Sequence, residues 1–130
     1  MYHISRVRQS GYVEIAFVES SLFTRRIATL GLEEELRELQ EELRRNPIAG
    51  DVDAGTGGMR KVRMRRPGRG KRGGTRVHYL YVESVAVIYM VFVYGKDEQD
   101  ALTPEQKKAF QLVAAHVKRE LENRIGADQE

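Results

Sequence analysis

Apolar side chains recur along this chain in two rhythms, and the switches between them mark its elements. Residues 12–18 (YVEIAFV) read as a first strand with Glu14 facing outward. Ser20 or Ser21 then offers a cap to a short helix carrying Leu22, Phe23, Ile27 and Leu30, because a serine oxygen accepts from the free N–H groups of a first turn. Leu32, Leu36, Leu39 and Leu43 follow at helical spacing, one stripe of an amphipathic helix. Glu33, Glu34 and Glu35 lie in its first turn and Arg44 and Arg45 in its last, as the helix dipole favours. Asn46-Pro47 ends it, since a residue before proline is pushed out of helical geometry. The glutamates of its outer face read most simply as a solvated surface, the other reading being a face turned to a basic partner segment.

Past a Gly- and Asp-rich connection at 48–58, the period becomes two. In residues 59–66, Val62 and Met64 point one way and Lys61, Arg63 and Arg65 the other. Residues 67–74 (PGRGKRGG) form a turn, and the returning strand 75–82 puts Arg76, His78 and Leu80 on one face, with Val77, Tyr79 and Tyr81 on the other. Residues 85–93 are apolar on both parities, the mark of a central strand covered on both sides. Short connections between these strands imply antiparallel pairing. Thr103-Pro104-Glu105-Gln106 is a capping box with proline at the first helical position; Phe110, Val113, Ala114, Val117 and Leu121 give the stripe, and Gly126 a stop. Residues 1–11 show no period and read as an N-terminal extension. The expectation is an α+β fold: one domain with its core at about 13–121, holding a compact, antiparallel, twisted sheet with an N-terminal helical pair and a C-terminal helix.

Composition narrows the function classes. The absence of cysteine excludes disulfides, thiolate zinc sites and cysteine nucleophiles. No apolar run approaches signal-peptide or bilayer-spanning length, so the expected location is the cytoplasm. The 22 basic and 19 acidic side chains give a net charge of +3, but nine of the basic ones fall between Gly55 and Arg76, a stretch without an acid. The other 108 residues hold 13 basic against 19 acidic side chains, a balance of −6. A basic patch so concentrated is the footprint of a polyanion site; its bland alternative is a solvated hairpin loop.

Lys61 and Arg63 on one strand and Arg76 on the next converge on one sheet face in this reading, with Lys96 joining from the turn after the central strand. Such cations bind a phosphodiester and stabilise the extra charge of a pentavalent phosphorus transition state. In RNA the nucleophile is the ribose 2′-OH, so neither a protein nucleophile, a cofactor nor a metal is required. His78 shares the parity of Arg76 and is a candidate acid or base, or else a partly buried sheet residue. Tyr94 is a candidate to touch a base, and Arg60, Arg65, Arg66, Arg69, Lys71 and Arg72 are candidate contacts to RNA. Asp51 and Asp53 lack the alternating series and terminal glutamate of a calcium loop. No Ser/His/Asp arrangement, zinc signature or phosphate-loop motif is present.

The run Gly50-Asp51 through Gly55-Thr56-Gly57-Gly58, Arg60-Lys61 with Arg63, and the loop Gly68 to Gly74 resemble the RelE/HigB superfamily of toxins of bacterial type II toxin–antitoxin systems, in particular its HigB-like branch. The resemblance covers about residues 13–121. It implies a microbial-ribonuclease-like α+β fold and an endoribonuclease that cuts translated mRNA in the ribosomal A site. It further implies silencing by a HigA-type helix-turn-helix antitoxin. Carried over by position, Lys61, Arg63, Arg76 and Lys96 match the family's basic residues. Two positions depart from the RelE pattern: Asp97 stands where an arginine is expected, and Leu102 where a tyrosine is expected. His78 and Tyr94 are the remaining candidates for proton transfer. The alternative is a nucleic-acid-binding module or regulatory accessory without cleavage activity.

Overall fold

A computed structural model of the chain describes residues 3–7, 14–68 and 74–128, with the side chains of 3–7 and 125–128 left undescribed. Among the described residues, six strands, β1 (His3–Val7), β2 (Ile15–Glu19), β3 (Asp51–Val52), β4 (Arg60–Met64), β5 (Thr75–Val82) and β6 (Val87–Gly95), form one sheet in the order β1-β2-β6-β5-β4-β3. Helices α1 (Ser21–Leu30) and α2 (Glu33–Arg45) follow β2, and α3 (Pro104–Asp128) follows β6. No helix among the described residues is long and apolar enough to cross a membrane.

Local sequence explains the helix ends. The Ser20 hydroxyl accepts from Phe23 N–H at 3.0 Å, and Gly31 closes α1 in the left-handed conformation, with Leu32 N–H reaching back to Ile27 O. At α3, Thr103 N–H donates to Gln106 Oε1 and Gln106 N–H to Thr103 Oγ1, the reciprocal pair expected of the capping box. Gly126 does not stop α3, which continues to Asp128. A helical glycine costs only about 1 kcal/mol relative to alanine, too little to end a helix unaided.

Two apolar layers clasp the sheet. Phe17, Val77, Tyr79, Ile88, Met90 and Val93 pack under the leucine stripe of α2 together with Phe23 and Ile27 of α1. On the other face, Val18, Leu80, Tyr89, Phe92 and Tyr94 meet Ala114, Val117 and Leu121 of α3. Every residue of β6 is buried, as its two-parity apolar run predicts. The register slips between His78 and Tyr79, which face Phe92 and Met90, so Val91 is an extra residue in β6. Its carbonyl accepts from the Ser20 hydroxyl at 2.9 Å.

Pairing differs from expectation at one junction and at the N-terminus. Four of the five strand pairs are antiparallel, but β2 runs parallel to β6. Parallel neighbours need a long crossover, here everything from α1 to β5, so short local connections could not reveal them. Residues 3–7, expected to be part of an extension, form a strand paired with β2.

One buried hydroxyl fixes the connection between α2 and β4. Tyr79 Oη donates to Pro47 O at 2.8 Å and accepts from Gly50 N–H at 3.0 Å. Gly50 lies so close to β4 that a Cβ there would come within 2.7 Å of Lys61 O. Tyr79→Phe leaves both backbone groups without this partner. It should lower the unfolding free energy by about 1–3 kcal/mol, seen as a lower urea midpoint at unchanged slope. An unshifted midpoint would contradict this account of the connection.

Candidate nucleic-acid cleft

Strand register aligns the candidate chemistry in rows. Arg63 of β4 faces Arg76 of β5, which faces Tyr94 of β6; one row along, Lys61 faces His78, which faces Phe92. Neighbouring strands lie about 4.8 Å apart, so each row presents side chains of three strands to one point. Lys61, Arg63, Arg76 and Tyr94 line a cleft of about 360 Å³. Asp51 and Asp53, from the α2–β4 connection, and Asp100, from the β6–α3 turn, complete its polar lining. Three cations and three carboxylates therefore share one concavity.

Asp53 has a structural occupation. Its Oδ2 lies 2.9 Å from His78 Nε2 and its Oδ1 3.3 Å from Lys107 Nζ. Burial alone would raise the carboxyl pKa, but the hydrogen bonds and charges of His78 and Lys107 outweigh it and hold the group below its ordinary range. The loop that delivers Asp53 is a tight turn. Thr56, fully buried, donates its hydroxyl to Asp53 O at 2.6 Å and accepts from Met59 N–H at 3.1 Å. Gly57, at φ 74°, sits against α3, where a Cβ would fall 3.0 Å from Ala114 Cβ. The Gly-Thr-Gly-Gly motif thus seats the loop on α3.

His78 is fully buried and is not among the residues lining the cleft. Its ring stacks on Tyr94 at 5.9 Å and lies 6.5 Å from Phe110. Burial lowers its pKa, and Asp53 only partly restores it. The neutral ring thus donates from Nε2 to Asp53, while buried Nδ1 has no hydrogen-bond partner among the described residues. Of the two sequence readings of His78, the geometry matches the buried sheet residue rather than an acid or base in the patch.

The other candidates disperse. Arg60 donates to Gly50 O at 2.8 Å and clamps the loop. Arg65, expected beside Lys61 and Arg63, instead reaches α2, 3.0 Å from Glu38 and 3.5 Å from Glu35, because the strand ends at Met64 and its alternation ends with it. The outer face of α2 is accordingly partly paired within the chain. Arg66 pairs with Asp97 at 3.3 Å, and Lys96 is half-buried in the turn but is not among the lining residues. Leu102 is buried against α3. Arg69, Lys71 and Arg72 lie outside the described residues. Asp100 and Lys107 carried no signal in the sequence. Asp53 carried only its spacing from Asp51, and what identifies its role is a partner 25 residues away.

A family model described as the RelE toxin of the RelE/RelB toxin–antitoxin system matches residues 20–127, most of the chain.

The buried imidazole makes stability pH-dependent with a definite sign. The unfolded chain binds a proton at His78 below about pH 6.5, whereas the folded state resists it, so stability falls as pH drops through that value and is level above it. Below about pH 7 the unfolding free energy should fall as pH drops, with a slope of at most about 1.4 kcal/mol per pH unit from this group. In His78→Gln, which keeps a donor for Asp53, that slope should disappear; urea titrations at each pH measure it, and an unchanged slope would refute the assignment.

Proposed function

The chain belongs to the RelE toxin family, and from that premise we propose that it is a ribosome-dependent endoribonuclease that cuts translated mRNA in the A site. Membership of the family makes it the toxin of a toxin–antitoxin system. The observation that carries the catalytic reading is the convergence of Lys61, Arg63 and Arg76 on one cleft through the register of β4 and β5. In this reading the guanidinium forks hold the non-bridging oxygens of the scissile phosphate, and all three cations stabilise the dianionic phosphorane as the ribose 2′-oxygen attacks. Because the nucleophile belongs to the substrate, the reaction asks for no metal from the protein. Lys96 and Arg66, at the neighbouring turn, extend the basic surface toward ribosomal RNA. A HigA-like helix-turn-helix antitoxin is the proposed neutralising partner.

A second reading has its own support. Asp51, Asp53 and Asp100 offset much of the cleft's positive charge, and Leu102 offers no hydroxyl. On that reading the chain binds nucleic acid without cutting it.

The readings part in the cell. Lys61→Ala and Arg76→Ala should each cost roughly 10²–10³-fold in cleavage, the loss found for one transition-state donor. Both variants should relieve growth inhibition while keeping the wild-type melting transition. Full toxicity in both folded variants would sink the site assignment.

A further inference from the structure

We infer that Tyr94 is the catalytic acid of this cleft, giving its phenolic proton to the 5′-oxygen that leaves when the RNA chain is cut; the inference rests on the ribonuclease reading above. Register places Tyr94 directly beside Arg76, which lies directly beside Arg63. A phosphate held by the two guanidinium groups therefore sits one strand away from the phenol. The ring is fixed: the residue is only 2% exposed, stacked on His78 at 5.9 Å and packed against Phe92 at 5.7 Å. Tyr94 lines the cleft, and no described residue is hydrogen-bonded to its hydroxyl. The described buried side-chain atoms without a partner are Arg44 Nε and His78 Nδ1, so the Tyr94 oxygen reaches solvent from a residue otherwise buried and is open to a ligand in the cleft.

Two other proton carriers near the cleft are committed. His78 is sealed beneath Tyr94, and both oxygens of Asp53 are occupied by His78 and Lys107. Arginine does not release its proton in proteins. Burial pushes the Tyr94 pKa up, against the charge of Arg76 and with those of Asp53 and Asp100, which keeps the phenol protonated through neutral pH. His78 and Asp53 thereby become positioning residues: the ion-held imidazole is the platform on which the phenol stands.

The step balances as a transesterification. The ribose 2′-oxygen bonds to phosphorus and its proton passes to water, while the bond from phosphorus to the 5′-oxygen breaks. That oxygen takes the Tyr94 Oη proton, and the phenolate recovers one from water. The products are a 2′,3′-cyclic phosphate and a 5′-hydroxyl.

Sulfur in place of the leaving 5′-oxygen isolates this role, because a thiolate departs without being protonated. Single-turnover cleavage would be followed on a synthetic mRNA set on ribosomes, with oxygen or sulfur at the cut position. Tyr94→Phe should be slowed by roughly 10²–10⁴-fold on oxygen, the usual worth of a general acid, and should match the wild type on sulfur. Lys61→Ala, which loses charge at the phosphate, should be slow on both, and the Tyr94→Phe melting transition should coincide with that of the wild type. Full speed on oxygen, or an equal deficit on sulfur, overturns the assignment. A wild-type protein that leaves both substrates intact overturns the ribonuclease reading itself, and the assignment with it.

Discussion

Three elements distant in sequence meet at one carboxylate. Asp53 comes from the α2–β4 connection, His78 from the middle of β5 and Lys107 from the first turns of α3. A buried carboxylate without partners costs several kcal/mol, so this group is stable only when loop, sheet and helix are docked together. The arrangement of the cleft depends on that condition. Its strand wall is carried by β4 and β5, its opposite lining by the loop that Asp53 ends, and its floor by the tyrosine that leans on His78. Tyr79 fastens the same loop from the other side of the sheet, through Pro47 and Gly50.

This framework decides which charges meet a ligand. The sequence concentrates nine cations in one stretch, but the fold distributes the six described ones among different tasks. Arg60 holds a loop carbonyl, Arg65 crosses to the glutamates of α2, and Arg66 sits against Asp97. Exposed ion pairs of this kind contribute little to stability, and their effect is to set direction. Lys61, Arg63 and Arg76 remain in the concavity because strand alternation aims them at one face, and antiparallel register brings two strands into line. A phosphodiester approaching the cleft thus meets localised positive charge within a lining that also carries carboxylates. Such a lining orients a polyanion more than it simply attracts one.

What could be read from the chain follows the range of the interactions involved. Caps, dipole placements and the α2 leucine stripe depend on residues within a turn or two, and Ser20, Thr103 and Gln106 behave as their local sequence dictates. Period-two alternation likewise located Lys61, Arg63 and Arg76 on a shared face. The parallel pairing of β2 with β6 joins residues some 70 positions apart and leaves no periodic trace. The same limit hid the Asp53–His78 pair: Asp53 offers only its spacing from Asp51, and a lone histidine in a strand looks available for chemistry. Arg65 misled for another reason, since alternation holds only while the strand lasts.

The central claim is that this cleft cuts RNA only in the setting of translation. Primer extension on a defined mRNA, with wild-type protein and with or without translating ribosomes, tests it most directly. Cuts confined to the translated message, at positions set by the reading frame, are the predicted result. Equal cutting of free mRNA, or an intact message in both conditions despite salt-sensitive RNA binding, would contradict it.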